Sequence, residues 1–336
     1  MKCLVVGDIH IKLDNLSDIH LLIKKLEQEI QHRQPNMVIL LGDVLHTHER
    51  IHTSCLQHAE ELFAMCTKYT PTYVLVGNHD YISNSQFLTS NHWMTPFSRW
   101  HNLHIVDRAT DIQMDGYRFI ACPYVPEGRF IEALNTIENW KEATMIFGHQ
   151  TLDGVKMGAI KTENVEEWLD TYPFMCSGHI HDKQVVQPNL YYTGTPMQQA
   201  FGESHHKTIV QYTWTDGVRS QEEIELKVAI KRILYLTVDQ AYTFQIQPEP
   251  FEMIRLTIKG TREECTMFKK TPAFRTLSQN TKIVFDEITS YQEKTDEVTS
   301  TFQEVLFQSI QSNFFLTKLY KHYAELPHTT ELNFVM

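Results

Sequence analysis

The stretch "CSGHIHDKQ", residues 176–184, sets His179 and His181 two apart behind a glycine, directly after an apolar run. On an extended strand alternate side chains share one face, so two imidazoles so spaced could simply decorate a surface. The first apolar run of the chain changes that reading. It ends as "VVGDIH", 5–10, with Asp8 and His10 again two apart behind a glycine. Three further phrases of the same kind follow: "GDVLHTH" at 42–48, "GNHD" at 77–80 and "GH" at 148–149.

Working outward, the segments before these phrases are short and apolar: "KCLVV" (2–6), "MVILL" (37–41), "TYVLV" (72–76), "RFIA" (118–121), "TMIF" (144–147) and "FMC" (174–176). Continuous β-branched and aliphatic runs of this length predict strands buried on both faces. Between the first three lie helical patterns. Ile19, Leu22, Ile23, Leu26 and Ile30 recur at spacings of three and four, with Ser17 as the expected N-cap, and Ile51, Cys55, Leu56, Leu62 and Phe63 form a second stripe. Strand and helix in alternation imply a layered α/β core. Ligands of such folds gather at the carboxyl ends of the strands, which is where the polar phrases fall. A glycine before each polar residue lets the chain turn sharply and approach a bound group closely.

The donors so gathered are Asp8, His10, Asp43, Asn78, His149, His179 and His181. Carboxylate, amide and imidazole groups in this mixture suit Mn, Fe or Zn. Their number suits two ions, with one carboxylate, Asp43, bridging. Two such ions roughly 3.5–4 Å apart can hold a phosphate, lower the pKa of a water and stabilise both the attacking and the leaving oxygen. Phosphoester hydrolysis is the reaction this chemistry serves. Taken alone, Asn78 also reads as a turn residue, and His46 and His48 read equally as solvated loop histidines.

In this order, D-x-H, G-D, G-N-H-D, G-H and G-H-x-H resemble the five motifs of the calcineurin-like metallophosphoesterases. The resemblance implies that one metal takes Asp8, His10, Asp43 and His181, and the other Asn78, His149 and His179, with Asp43 shared. It makes His79 the group that meets the phosphate and protonates the leaving alkoxide, with Asp80 orienting it. "GDVLHT" is further similar to the G-D-L-F-H phrase of SbcD-type double-strand-break repair nucleases. Val44 and Leu45 depart from it, while His46 matches a histidine that assists nuclease action in that family. "YYTGTPMQQAFGES", 191–204, is similar to the segment after the last metal motif in the same nucleases, with Thr195 in place of serine.

What the resemblance implies is a layered β-sandwich flanked by helices, with a small α+β cap and a C-terminal helix. The expected divisions are a dinuclear nuclease domain at 1–224, a DNA-binding cap at 225–290, and a linker with a partner-binding helix at 291–336. The implied activity is a DNA exonuclease and endonuclease using two divalent ions, Mn first, with Mg, Fe or Zn also compatible. The alternative is a stand-alone phosphodiesterase or phosphatase for nucleotides or phosphoproteins. Arg129, Lys231, Arg232, Lys259, Lys269 and Lys270 are the candidate DNA contacts, although nearby acids nearly balance the cap and a mixed solvated surface reads equally well. Arg129 reads equally as a plain surface arginine.

No G-x-x-x-x-G-K-[ST] is present, so an ATPase has to come from another chain. In the family an SMC-like ATPase of SbcC type binds a C-terminal helix. Phe302, Leu306, Ile310 and Phe314 form a stripe that fits such a groove or packs on its own domain. A homodimer is implied by resemblance alone.

The composition sets bounds on this reading. A formal charge of −11 argues against a surface coated in basic groups, though not against a local basic groove. Six cysteines without C-x-x-C spacing read as reduced core thiols of a cytosol-like compartment, bacterial or phage-infected. No apolar run approaches the roughly 20 residues that span a bilayer, and the N-terminus enters a strand with no basic leader. Membrane or secretory targeting is therefore not expected.

Overall fold

The computed structural model describes residues 1–288 apart from 49, 159, 229 and 250, together with 310, 316, 317 and 320. The chain opens as β1 (Lys2–Val6), α1 (Leu16–Arg33), β2 (Met37–Leu40), α2 (Thr53–Tyr69), β3 (Thr72–Leu75) and β4 (Leu103–Val106). These four strands lie parallel in the order β1-β2-β3-β4. Then come β5 (Thr110–Met114), β6 (Tyr117–Ala121), α3 (Phe130–Leu134), β7 (Met145–His149), the two-residue strands β8 (Lys156–Met157) and β9 (Ile160–Lys161), and β10 (Met175–Gly178). β11 (Gln184–Gln187) and β12 (Leu190–Tyr192) complete a second sheet, ordered β11-β12-β10-β7-β6-β5. β13 (Thr208–Thr215) and β14 (Val218–Glu225) return to the first sheet, where β13 pairs antiparallel with β1.

Alternation along each strand builds the layers. Leu4, Val6, Val38, Leu40, Val74 and Val76 face a cluster filled from α1 and α2 by Ile19, Leu22, Leu26, Leu62 and Phe63. Cys3, Val5, Met37, Ile39 and Leu75 face the other way and meet Phe119, Ala121, Met145, Phe147 and Cys176 of the second sheet. A third cluster, with Phe130, Leu134, Trp140 and Trp168, covers the far side of that sheet. Each aliphatic side chain fully buried here contributes about 1.5–3 kcal/mol, so the scaffold draws its stability from apolar contacts. This is the layered sandwich flanked by helices that the sequence predicts.

Some local expectations differ. Ser17 lies inside the first turn of α1, and Asn15 occupies the N-cap after a short 3₁₀ turn. β4, β5 and β11 carry no clear sequence signal, because each is a sheet edge whose exposed positions interrupt the apolar run.

The segment after β14 forms its own sheet from β15 (Ile230–Thr237), β16 (Glu252–Thr261) and β17 (Lys282–Ile288), all parallel. The sequence pattern predicts strand, helix and strand over 251–288. In the structure β15 and α4 (Val238–Thr243) precede them, and the helical stretch is two helices, α5 (Arg262–Phe268) and α6 (Pro272–Asn280). The break falls where the Thr271 side chain accepts from the Phe274 N–H, with Pro272 opening the new helix. Leu256, Ile258, Phe268 and Leu277 form this lobe's core.

Residues 1–288 make one compact unit and 289–336 a second. Of the expected partner-binding stripe, Phe302, Leu306 and Phe314 lie outside the described residues. Ile310 is helical and half-buried, and its carbonyl accepts from Thr317 Oγ1 at 3.0 Å.

Candidate metal centre

The loops leaving β1, β2, β3, β7 and β10 deliver the five polar phrases to one place. Asp8, His10, Asp43, Asn78 and His149 are all buried. Three of these exits adopt left-handed backbone at non-glycine residues: His10 at φ 50°, Asp43 at 48° and His179 at 81°. Such conformations cost of order 1–3 kcal/mol each and persist only where the surroundings over-determine them. The glycines before them serve mostly by being small. A Cβ on Gly178 would lie 2.5 Å from Asp8 Oδ1, and one on Gly77 would collide with the Asp43 carboxylate.

Three groups of donors lie within metal-holding reach: Asp8 with His10 and His181, Asp43 with His149 and His179, and His10 with His46 and His79 at the mouth; the first two match the expected pair of ions. His10 Nε2 lies 2.9 Å from His181 Nε2. In the second group the Asn78 Oδ1 is 3.0 Å from His149 Nε2 and 2.8 Å from His179 Nδ1. Asp43 Oδ2 stands between the first two groups, 3.6 Å from His10 Nε2 and 3.4 Å from His149 Nε2. His149 Nδ1 donates to the Leu41 carbonyl at 2.7 Å, which leaves Nε2 turned inward. Lone pairs therefore converge on each other with few protons to share, an arrangement that cations satisfy. The residues present fit a pair of divalent ions.

Electrostatics agree. Burial raises Asp8, with its carboxyl at about 7, against the lowering pull of His149. Burial would also raise Asp43, but His149 and His10 hold it well below the carboxylate range. Burial would lower His149, yet Asp43 and Asp8 hold it up at about 9. His179 is pushed down to about 3, first by burial and then by His149. His10, His46 and His181 are likewise lowered by burial, so each offers a neutral nitrogen.

His79 sits at the mouth. Its backbone N–H donates to Asp43 Oδ1 at 2.8 Å and its Nδ1 to the His46 carbonyl at 2.7 Å. The ring stacks between His46, with centroids 5.4 Å apart, and His48, at 4.6 Å. A cleft of about 660 Å³ opens beside it, lined by His46, Thr47, His48, Ile82, Ser83 and Asn84.

Asp80, expected to orient His79, is turned elsewhere. Its carboxylate accepts from the N–H groups of Gly77 (3.0 Å), Val44 and Leu45 (both 3.3 Å) and from Trp93 Nε1 (2.8 Å). It ties the second metal loop to the third, and the His46 carbonyl orients His79 instead. Burial, with Asp43 adding, pushes the Asp80 carboxyl up to about 7.

The expected DNA contacts scatter. Lys231 is buried, and its Nζ donates to the carbonyls of Gln198 and Gln199 at 2.9 and 3.3 Å, so it is not a phosphate contact. Arg232 pairs with Glu252 at 2.9 Å, and Arg129 pairs with Glu132 at 2.6 Å while stacking on Phe87. Lys269 lies over the Phe285 ring, on the helical side of its lobe. Lys259 and Lys270 are exposed.

Sequence reasoning missed the residues that hold the metal loops by their backbones. Asn15 Nδ2 donates to the His10 carbonyl, Gln199 Nε2 to that of Ile9, and Lys207 Nζ to that of His181. Only the similarity over 191–204 pointed toward any of them, since side-chain-to-backbone contacts across the fold leave no spacing pattern.

A two-layer sandwich with paired imidazole and carboxylate clusters at its strand ends defines a metal-dependent hydrolase. The family model described as "Calcineurin-like phosphoesterase" matches residues 1–183, and the chain belongs to that family. "Putative phosphoesterase 244L" of Invertebrate iridescent virus 6 is 37% identical over 279 residues, covering 80% of this chain and 97% of the relative. "Putative phosphoesterase 078R" of Invertebrate iridescent virus 3 is 36% identical over 282 residues, covering 82% and 81%. Among solved structures, purple acid phosphatase PPD1 from yellow lupin aligns at 11% identity and TM-score 0.43, over 67% of this chain and 51% of its own. A hypothetical protein from Thermus thermophilus aligns at 10% identity and TM-score 0.35, over 67% and 99%. Among the described residues no helix is long and apolar enough to cross a membrane.

Proposed function

We propose that this metallophosphoesterase is a DNA exonuclease and endonuclease, using Mn and working with an SMC-like ATPase in break repair or recombination. The observation that carries the reading is the row His46-His79-His48 at a shallow open cleft of mixed lining, which leaves room for a polymer backbone where an enclosed pocket would select a small substrate. The similarity of "GDVLHT" and of residues 191–204 to SbcD-type nucleases supports the same substrate, and the stripe Phe302-Leu306-Ile310-Phe314 supports an ATPase partner.

Asp8, His10, Asp43 and His181 would hold one ion and Asn78, His149 and His179 the other, with Asp43 shared. Bound there, two divalent ions supply charge neutralisation for the phosphodiester and a nucleophile at neutral pH. The remaining work falls to the protein. His79 keeps its Nδ1–H on the His46 carbonyl, so the proton that goes to the departing sugar oxygen is the second one, carried on Nε2 in the imidazolium form. Rings of His46 and His48 on either side limit its rotation.

The experiment is purified protein with Mn on end-labelled duplex and single-stranded DNA, with and without a candidate ATPase, beside bis-p-nitrophenyl phosphate and cyclic nucleotides. Cleavage of DNA supports the reading. Rapid turnover of the small esters with DNA left intact overturns it and favours a stand-alone phosphodiesterase.

A further inference from the structure

The Lys231 ammonium is an uncommon investment. It is 6% exposed, and Asp18 on α1, 3.6 Å from it, is 7% exposed. Burying two charges costs several kcal/mol per ion before their attraction repays it, so a pair of this kind is a weak source of stability. What surrounds it suggests a different service.

Gln198 closes on Lys231 from both ends. Its Oε1 accepts from the Lys231 N–H at 2.7 Å, its Nε2 donates to the Lys231 carbonyl at 3.3 Å, and its own carbonyl accepts from Nζ. The next residue, Gln199, also offers its carbonyl to Nζ, while its side chain donates to the Ile9 carbonyl at 2.8 Å. Ile9 precedes His10, whose left-handed backbone is further held by Asn15 Nδ2 on its carbonyl at 2.9 Å. Glu203, four residues on, accepts from the N–H groups of Gln199 and Ala200 and pairs with Lys207 at 3.0 Å. Lys207 in turn donates to the His181 carbonyl at 3.0 Å.

One segment, 198–207, thus grips the carbonyl of Ile9, directly before His10, and the carbonyl of His181. It supplies neither histidine with a side-chain ligand. The partners of a metal ligand fix its orientation, and removing one typically weakens metal binding about 10- to 100-fold.

We propose that Lys231 is a positioning residue that fastens the β15–β17 lobe to the His10/His181 half of the metal centre, through the carbonyls of Gln198 and Gln199. Movement of that lobe is transmitted to one metal position and not to the other, because Asn78, His149 and His179 receive no contact from segment 198–207 in the network described. The inference rests on the two-metal phosphoesterase reading and is independent of DNA as substrate.

The test is Mn binding to full-length protein, followed by calorimetry and by the electron paramagnetic resonance of the bound ions. Lys231→Met alone strands the Asp18 carboxylate and could unfold the chain, so the double variant Lys231→Met/Asp18→Asn is measured beside it, and Lys231→Arg serves as the rescue. The expected result is a double variant that melts as a cooperative unit and binds one Mn like the parent and the second about tenfold or more weakly, with Lys231→Arg recovering most of the loss. Two undisturbed sites overturn the proposal, as does equal loss at both sites. Parent protein that binds no divalent ion at all overturns the phosphoesterase reading itself, a result distinguishable from either.

Discussion

The Nδ1 of His79 lies 2.7 Å from the carbonyl oxygen of His46, three residues past Asp43. That bond makes the loop after β2 the orienter of the loop after β3 and engages Nδ1, so Nε2 is the ring nitrogen left for a substrate. His79→Ala is expected to lower turnover by about 10²–10⁴, the usual range for loss of a general acid, while Mn stoichiometry stays at the parent value. Steady-state rates beside metal titration check it; a lost metal would mean that His79 is a ligand.

Asp43 faces both groups of donors and also accepts the His79 N–H at 2.8 Å. Asp43→Ala should abolish phosphodiester hydrolysis while leaving the circular dichroism near that of the parent, since the surrounding layers are apolar. Activity near the parent level would remove the shared-carboxylate assignment.

Asp80 has four N–H partners and no visible share in orienting His79. Each buried donor left unpaired costs about 1–3 kcal/mol, so Asp80→Ala should destabilise the protein by about 3 kcal/mol or more, read as a fall in the denaturant midpoint. A variant with normal stability and an altered pH-rate profile would instead restore the orienting role.

Metal uptake should release protons. His149 is held protonated up to about 9 and the Asp8 carboxyl up to about 7, and both must be deprotonated to act as ligands. Protons bound at these two groups therefore compete with the ions at neutral pH. Affinity for Mn is expected to rise from pH 6 to pH 9 and to flatten above that range. Calorimetry in buffers of different ionisation enthalpy counts the protons, and a pH-independent affinity would contradict the assignment.

The layered scaffold and the gathering of candidate metal donors at its strand ends were legible because both are written in local patterns. Buried parallel strands demand unbroken apolar runs such as "MVILL", and a ligand loop demands a glycine with a polar residue directly behind it, as in "GNHD". Edge strands such as β4 and β11 were hidden because exposure breaks the run that marks a strand. Asp80 was misassigned by adjacency: neighbours in sequence at a sharp turn point in different directions, and its carboxylate goes to the interior while His79 goes to the cleft. Lys231, counted by charge as a phosphate contact, became a buried clamp once β15 was docked beside segment 198–207. Residue type and spacing constrain what a side chain can do within a strand or turn. Whether a lysine meets solvent or a pair of carbonyls depends on chain segments more than thirty residues away, and only packing brings them together.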